Sequence, residues 1–394
     1  MKNRYIKTSV GMYLNYFMLG MINIIVASNM HNLSSKYHVS VEKISLLVSA
    51  IGIGKLVSLF FVGRISDKYG RKPVIVIGSF LEILFLIGIP LTSSYTLAFI
   101  FAIVAGIANS LLDSGTYPAL IEAFPKKSSS ATVLVKAFVS IGATLLPFII
   151  SILVANHIFW GWSFFIWGIL YLLCGIYLIF MPFPTANGGG QSLESQEESS
   201  PFKEEPKLWR EGLAIILIGF TCTALFVVWQ TWLPELGSKF IGLGENNAVQ
   251  LLSYFSIGAL VSVLILAAIL DKFVKPVTIM ILYPAIAFLS MLGLFTIKAY
   301  SVVLICTFIL GLSTAGIFQL ALSVMTQFFM KNKATTTSYV NIASSLAFIF
   351  VPMITSYLVG AVNITMTLVF DMVIAVISVL LAIFVLYRGR KVFK

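Results

Sequence analysis

The chain has 394 residues, of which 59% are hydrophobic and only 10% charged, with a mean hydropathy of +1.00. Soluble domains carry about a quarter charged residues, so this balance excludes a soluble enzyme, a disordered chain and a disulfide-built secreted scaffold. The net charge of +11 requires no nucleic-acid partner, because the basic residues fall where a membrane protein uses them for orientation.

A hydrocarbon core of ~30 Å takes about 20 apolar residues as helix. Twelve apolar segments meet that length, over 10–30, 43–63, 73–92, 95–123, 131–155, 160–181, 211–236, 246–270, 276–297, 300–329, 335–360 and 364–387. They are predicted to be helices. Only helices and closed barrels satisfy their own backbone in lipid, and unbroken runs of this length are not barrel strands. The first segment is too long for a cleaved signal and lacks a small-residue cleavage site. Cys174, Cys222 and Cys306 lie inside apolar runs without metal spacing and read as reduced packing residues.

Placing the N-terminus in the cytoplasm puts twenty of the 26 Lys and Arg residues on the inner side and four (Lys36, Lys43, Lys239 and Lys298) outside, with Lys55 and Lys136 inside spans. That imbalance predicts both termini inside. The positive inner face is also suited to anionic lipid. One polar stretch interrupts the spans. Asn187-Gly188-Gly189-Gly190 and the Ser/Glu-rich run 191–205 cannot bury a core and read as a flexible linker. The predicted organisation is a six-helix bundle over 1–181, a cytoplasmic linker over 182–210 and a second six-helix bundle over 211–394.

The two halves repeat. Ile53-Gly54-x-Leu56-Val57-Ser58 returns as Ile257-Gly258-x-Leu260-Val261-Ser262, each followed by an Asp-Lys pair, Asp67-Lys68 and Asp271-Lys272. Gly106 matches Gly311, and Pro147 matches Pro352. Two parallel six-helix halves around a midplane site is an architecture of secondary transporters.

The loop after span two, Gly63-Arg64-Ile65-Ser66-Asp67-Lys68-Tyr69-Gly70-Arg71-Lys72, closely resembles the signature loop of the major facilitator superfamily. The resemblance covers the whole chain and implies the twelve-helix, all-α, two-bundle fold of that family. It also implies that Gly63, Asp67, Gly70 and Arg71, with the degenerate copy Asp271-Lys272, help latch the outward-open state. The bland reading is that these charges only fix topology. Span four, Asn109-Ser110-Leu111-Leu112-Asp113-Ser114-Gly115-Thr116-Tyr117-Pro118, resembles a branch of bacterial inner-membrane transporters. More distantly it is similar to fucose:proton symporters, in which an acid precedes a proline by five residues. By that resemblance Asp113 is the proton-coupling carboxylate. The drug:proton antiporter motif of span five is matched here only at Gly142 and Pro147.

An ionisable side chain near the bilayer centre costs ~2.5–3.5 kcal/mol on insertion scales and marks function by default. At 1.5 Å per residue, Asp113 lies about 18 Å, Glu82 about 14 Å and Lys55 about 12 Å from the inner boundary. Lys136 is shallower, Glu122 lies at the inner interface, and Asp371 falls near the outer end of span twelve and reads as interfacial. At repeat-matched positions Lys55, Asp113, Glu122 and Lys136 face Ala259, Phe318, Gln327 and Asn341. Charge recognition and ion coupling are therefore expected in the first half and neutral contacts in the second.

Asn109, Asp113 and Tyr117 recur every four residues and form one stripe. Lys55 and Asp113 are expected to pair across the cleft, against the alternative of a permanent orienting salt bridge. Lys136 is a further substrate contact, unless it merely pairs with Glu122 or snorkels. Glu82 is a second coupling candidate, although span three in the resembled family often packs behind the cleft. In the second half Gln230, Trp232, Gln319 and Asn341 suit a polyhydroxylated ligand, and Asn23 in span one is read the same way. The alternative for Trp232 is an interfacial anchor. His31, His38 and His157 are too scattered for a metal site, and no phosphate loop or nucleophile–base pair is present.

The expectation is thus a transporter rather than an enzyme, without cofactor or metal, monomeric in the bacterial cytoplasmic membrane. It would carry a small hydroxylated organic anion or a sugar with protons. The competing reading is a multidrug:proton efflux antiporter, and a non-transporting sensor is a third.

Overall fold

The computed structural model describes residues 4–125, 128–184, 203–269, 275–330 and 333–393. Asp271, Lys272 and most of the expected linker lie outside the described residues. The helices of the first half are α1 (Ile6–Ser28), α2 (Met30–Tyr37), α3 (Val41–Tyr69), α4 (Arg71–Leu91), α5 (Tyr95–Ala123), α6 (Ser128–Ala155) and α7 (Trp162–Phe180). Those of the second are α8 (Leu213–Glu235), α9 (Glu245–Ile269), α10 (Pro276–Thr296), α11 (Tyr300–Thr314), α12 (Ile317–Phe328), α13 (Lys333–Ala361) and α14 (Thr365–Val392). Among the described residues eleven helical segments are long and apolar enough to cross a membrane, and the bent α3, counted as one span, makes twelve.

The boundaries follow local chemistry. Ser40 and Ser94 accept from the Lys43 and Leu97 backbone N–H groups and start α3 and α5. The turn between α3 and α4 is a single residue, Gly70, at φ +89°, a conformation that other residues rarely adopt. One expected segment is divided, and the first is followed at its end by an additional short helix. The first ends at Asn29, where the short α2 follows α1, and the tenth breaks between α11 and α12 at Ala315-Gly316.

In the first half α3 packs on α5, α4 on α5 and α7, and α1 on α6; in the second α9 packs on α11, α8 on α13 and α14, and α10 on α11 and α14. The sequence repeat marks two of the close crossings. A Cβ on Gly54 would strike the Ile103 carbonyl, and one on Gly106 the Ile51 carbonyl. In the second half a Cβ on Gly258 would strike the Phe308 carbonyl, and one on Gly311 the Phe255 carbonyl. Lipid tails supply no hydrophobic drive between helices, so small residues that admit close backbone approach carry the packing.

The halves meet along α3 with α13, α6 with α9, and α1 with α8. The hydrogen bonds across these seams sit at the ends of the helices farthest from the basic loops. Ser49 donates to the Ile349 carbonyl at 2.8 Å, Ser356 to the Glu42 carbonyl at 2.8 Å and Ser253 to the Thr144 carbonyl at 2.7 Å. Ser151 pairs with Asn246 at 2.6 Å. At the basic end the position of a Cβ on Gly63 has nothing within 4 Å. Among the described residues Gly63 therefore makes no close helix approach.

The second half is not free of charge, which corrects the expected asymmetry. Glu211, Glu235 and Asp371 are buried, as is Arg388. Glu211 accepts from Arg210 at 2.8 Å and Arg388 at 2.7 Å, and both guanidiniums also reach Glu204. Those two arginines hold the Glu204 carboxyl down at about 2. The asymmetry survives only at the repeat-matched positions.

Substituting Gly54→Val should lower stability by about 3 kcal/mol, since a carbonyl in a packed helix cannot yield as a side chain can. Gly63→Ala should be neutral. Thermal unfolding in detergent reads both, and equal melting temperatures for the two variants would contradict the crossing argument.

Candidate functional site

Lys55 follows Gly54 directly, and Asp113 stands two helical turns beyond Gly106 on the same face. The α3–α5 crossing therefore delivers an ammonium and a carboxylate to one place. Lys55 Nζ lies 3.0 Å from Asp113 Oδ2, and Tyr16 on α1 donates its hydroxyl to Asp113 Oδ1 at 2.6 Å. Ser110 donates to the Lys55 carbonyl at 2.9 Å and fixes the backbone beneath the pair. The Lys55 and Asp113 side chains remain 34% and 31% accessible, so the pair borders open space.

That space is not lipid. At 100° per residue, the exposed apolar residues Val57 on α3 and Leu97 and Ile100 on α5 lie on the sides turned away from Lys55 and Asp113. On α6, Leu134, Ile141, Leu145 and Ile152 mark the exposed stripe, and Lys136 projects from the opposite side. Lys136 is half-buried and acts electrostatically on Asp113. It does not pair with Glu122, which is taken by Arg71 at 3.2 Å.

Tyr117 stands edge-on to Tyr16, ring centroids 5.8 Å apart, and Asn109 is buried with no partner for its carbonyl oxygen among the described residues. Tyr16 was not among the expected site residues. Its signal is weak but present, since a tyrosine about 15 Å into a helix is far from the interface where tyrosines gather.

The remaining candidates scatter. Glu82 is fully buried, with neither carboxylate oxygen hydrogen-bonded among the described residues. It sits on α4, close enough to act electrostatically on Tyr171 of α7, and does not join the Lys55–Asp113 pair. Asp371 is not interfacial. It is buried beside the Trp229 indole, because its side of α14 faces α8 and α10. Trp229 and Trp232 are fully buried rather than interfacial anchors, and the Trp232 N–H donates to Thr355 at 2.8 Å. Gln230 is buried, Gln319 and Asn23 are exposed, and Asn341 is half-buried and donates to the Thr337 carbonyl at 3.1 Å. In the signature loop Arg71 bridges Asp67 at 2.6 Å and also donates to Ser66.

A second charged contact joins the halves at the end opposite the basic loops. His31 Nε2 on α2 lies 3.0 Å from Glu235 Oε1 on α8, and Lys239 lies 3.0 Å from the other oxygen. Asn29, Ser238, Glu245 and Asn246 line the same recess. The hydrogen bond to Glu235 raises the His31 pKa above its ordinary value, against desolvation. The bridge therefore contributes fully below about pH 6.5 and is lost as pH rises through the raised value. For a half-exposed pair the contribution is about 1 kcal/mol. Spin labels at Asn156 and Gly244 should report this end widening between pH 6 and 9 in the wild type. The same labels should already report a wider distance in His31→Gln at pH 6. A distance insensitive to both would remove the bridge from the account.

The sequence pattern of the Major Facilitator Superfamily matches residues 12–299 and 251–393. The chain is 48% identical over 391 residues to the uncharacterized MFS-type transporter YfkL of Bacillus subtilis (strain 168), covering 99% of this chain and 98% of that protein. It is 38% identical to the inner membrane transport protein YdiN of Escherichia coli (strain K12), covering 97% and 90%. Among solved structures, a D-xylose-proton symporter shares the fold with a TM-score of 0.74 at 15% identity over 97% of each chain. A bacterial homologue of the human lysosomal transporter Spinster, inward-facing and unoccupied, shares it with a TM-score of 0.73 at 13% identity over 100% and 99%. These two likenesses speak for the fold alone. With the family pattern spanning nearly the full length and close relatives among transporters, the chain belongs to the major facilitator superfamily and is a multi-pass membrane transporter, not an enzyme.

Proposed function

We propose that this transporter is a proton-coupled symporter that takes up a small polar solute, a hydroxylated organic anion or a sugar, by alternating access. The observation that carries the reading is the accessible ion pair between Lys55 and Asp113 at 3.0 Å. An isolated charge at this depth is expensive, and a pair is tolerable only while both members are ionised and in contact. When Asp113 takes a proton its hold on Lys55 is lost. The ammonium then becomes a ligand for an oxygen-rich solute. When the proton leaves, Asp113 recaptures Lys55 and the solute is displaced. Tyr16 keeps one carboxylate oxygen oriented throughout. Proton and solute are linked by competition for one ammonium.

Orientation follows the basic loops, with both termini in the cytoplasm of a bacterium and the membrane in question its cytoplasmic one. The halves are then sealed on the outside by the seam bonds and the His31–Glu235 bridge, and open to the inside. Closing the inner end would bring Gly63 and the Asp67–Arg71 pair against the second half. Gln319 and Asn341 would supply neutral contacts from that half. Gln230 and Trp232 would join only after the outer seam parts, and Glu82 is assigned no part in the exchange.

Reconstituted Asp113→Asn should lose proton-driven accumulation at least tenfold, an effect of about 1.4 kcal/mol, while solute exchange across the vesicle membrane persists. Proton coupling that survives in this variant would rule the assignment out, and drug resistance conferred by the wild type on a sensitive strain would favour efflux. Gly63→Leu should melt like the wild type, since its side chain enters open space, yet transport roughly tenfold more slowly by obstructing inner closure. Normal transport by Gly63→Leu would mean that this glycine takes no part in the cycle.

A further inference from the structure

We infer that the solute is a small hydroxylated monoanion, held by Lys136 together with the Lys55 ammonium that protonation of Asp113 frees, and carried with one proton, so that transport is electroneutral. This rests on the symport reading above and narrows it. The first observation is that both carboxylate oxygens of Asp113 already have a partner. Lys55 occupies Oδ2 and Tyr16 occupies Oδ1. The second is that Lys136 has no hydrogen-bond or ion-pair partner among the described residues, and that Glu122, the acid nearest to it in the sequence pattern, is engaged by Arg71. An ammonium on the cleft side of α6, near a carboxylate whose two oxygens are each engaged by another group, is placed to bind an anion.

The charge count then selects the substrate. With Asp113 ionised, two ammoniums and one carboxylate leave the site at plus one. Protonation of Asp113 raises it to plus two. A monoanion returns the loaded carrier to plus one, so the empty and the loaded forms change conformation with the same net charge in the membrane. A neutral sugar leaves plus two, a dianion leaves zero, and a cation makes the imbalance worse. Charge buried at this depth is what the bilayer penalises most, so a carrier that keeps it constant meets no added electrostatic barrier in either direction.

The hydroxyls are inferred from Asn109. Its carbonyl oxygen is buried and unpartnered among the described residues, one turn along the same stripe from Asp113. An acceptor left open beside an anion site is completed by an O–H donor of the solute. Tyr117 on the same stripe and Ser140, one turn from Lys136 on α6, extend the polar surface.

Purified protein in proteoliposomes tests this with two probe sets of fixed skeleton, D-gluconate, D-glucarate, D-glucitol and D-glucosamine, and glycerate with glycerol. The expected result is thermal stabilisation by gluconate or glycerate alone. Their uptake should follow an inward proton gradient and ignore a potassium–valinomycin potential. Lys136→Gln should weaken monoanion binding at least tenfold at an unchanged melting temperature, and Lys136→Arg should restore it. The inference falls if uptake responds to the potential, if Lys136→Gln binds anions as the wild type does, or if no monoanion of either set binds. Potential-sensitive polyol uptake that is abolished in Asp113→Asn would sink the monoanion and leave the symport reading. Monoanion uptake that needs Lys136 but ignores the proton gradient would contradict the symport reading and the coupled proton, and leave the anion site.

Discussion

The backbones of α3 and α5 touch at Gly54 and Gly106, and the chemistry of the first half depends on that contact. Lys55 is attached to the touching turn itself, and Asp113 is carried to the same face two turns on. Were the helices held apart, the ammonium and the carboxylate would lose their 3.0 Å contact and each would stand at bilayer depth without its counter-charge. The crossing therefore precedes the ion pair in the order of causes. The second half shows the same scaffold without the chemistry. Gly258 and Gly311 bring α9 and α11 together in the same manner, but Ala259 stands where the lysine would be, and Phe318, matched to Asp113, lies on α12 beyond the break at Ala315-Gly316.

What the sequence makes legible is depth, and what it hides is direction. The spans, the duplication, the signature loop and the Lys55 and Asp113 charges all stand out because they break or repeat an apolar background. The facing of each residue does not stand out, because helices that are apolar all round carry little periodic signal. Asp371 is the clearest case. Its distance from the end of its span suits an interface, yet the side of α14 that bears it faces α8, and the residue is buried. Glu122 and Lys136 are similar. Adjacent helices and comparable depths suit a pair, but Arg71 at the α3–α4 turn already holds Glu122. Tyr16 and the His31–Glu235 bridge were missed for a related reason. A phenol in a helix and a histidine in a short outer helix acquire meaning only when the partner helix is in place.

The contacts inside each half differ in kind from those between the halves. Within a half, glycine faces carbonyl and no water can enter. Between halves the seam is made of serine hydroxyls donating to backbone carbonyls, an amide and one imidazolium–carboxylate bridge. Each such hydrogen bond is worth about 0.5–1.5 kcal/mol net, because water replaces it readily when the seam parts. The handful described here amounts to a few kcal/mol, comparable to what a bound solute contributes. A seal of that strength can be opened and remade in a transport cycle, whereas the glycine crossings cannot. The halves are consequently suited to move as rigid units.

One element belongs to both systems. α1 supplies Tyr16 to the carboxylate of the ion pair, runs against α6 along its length, touches α8 of the opposite half and continues through Asn29 into α2, which bears His31. About 22 Å of chain separates the phenol at the ion pair from the imidazole at the seal. A change in the charge of Asp113 alters the acceptor that Tyr16 holds. A change in the seam alters where α2 is held. α1 is a helix of 23 residues that ends at Ser28, so the path from Tyr16 to His31 runs along its second half and through the break at Asn29 into α2. In the symport reading proposed above, α1 and its joint with α2 at Asn29 are the covalent path between the ion pair and the His31–Glu235 bridge, and no relay of side chains through the core is required.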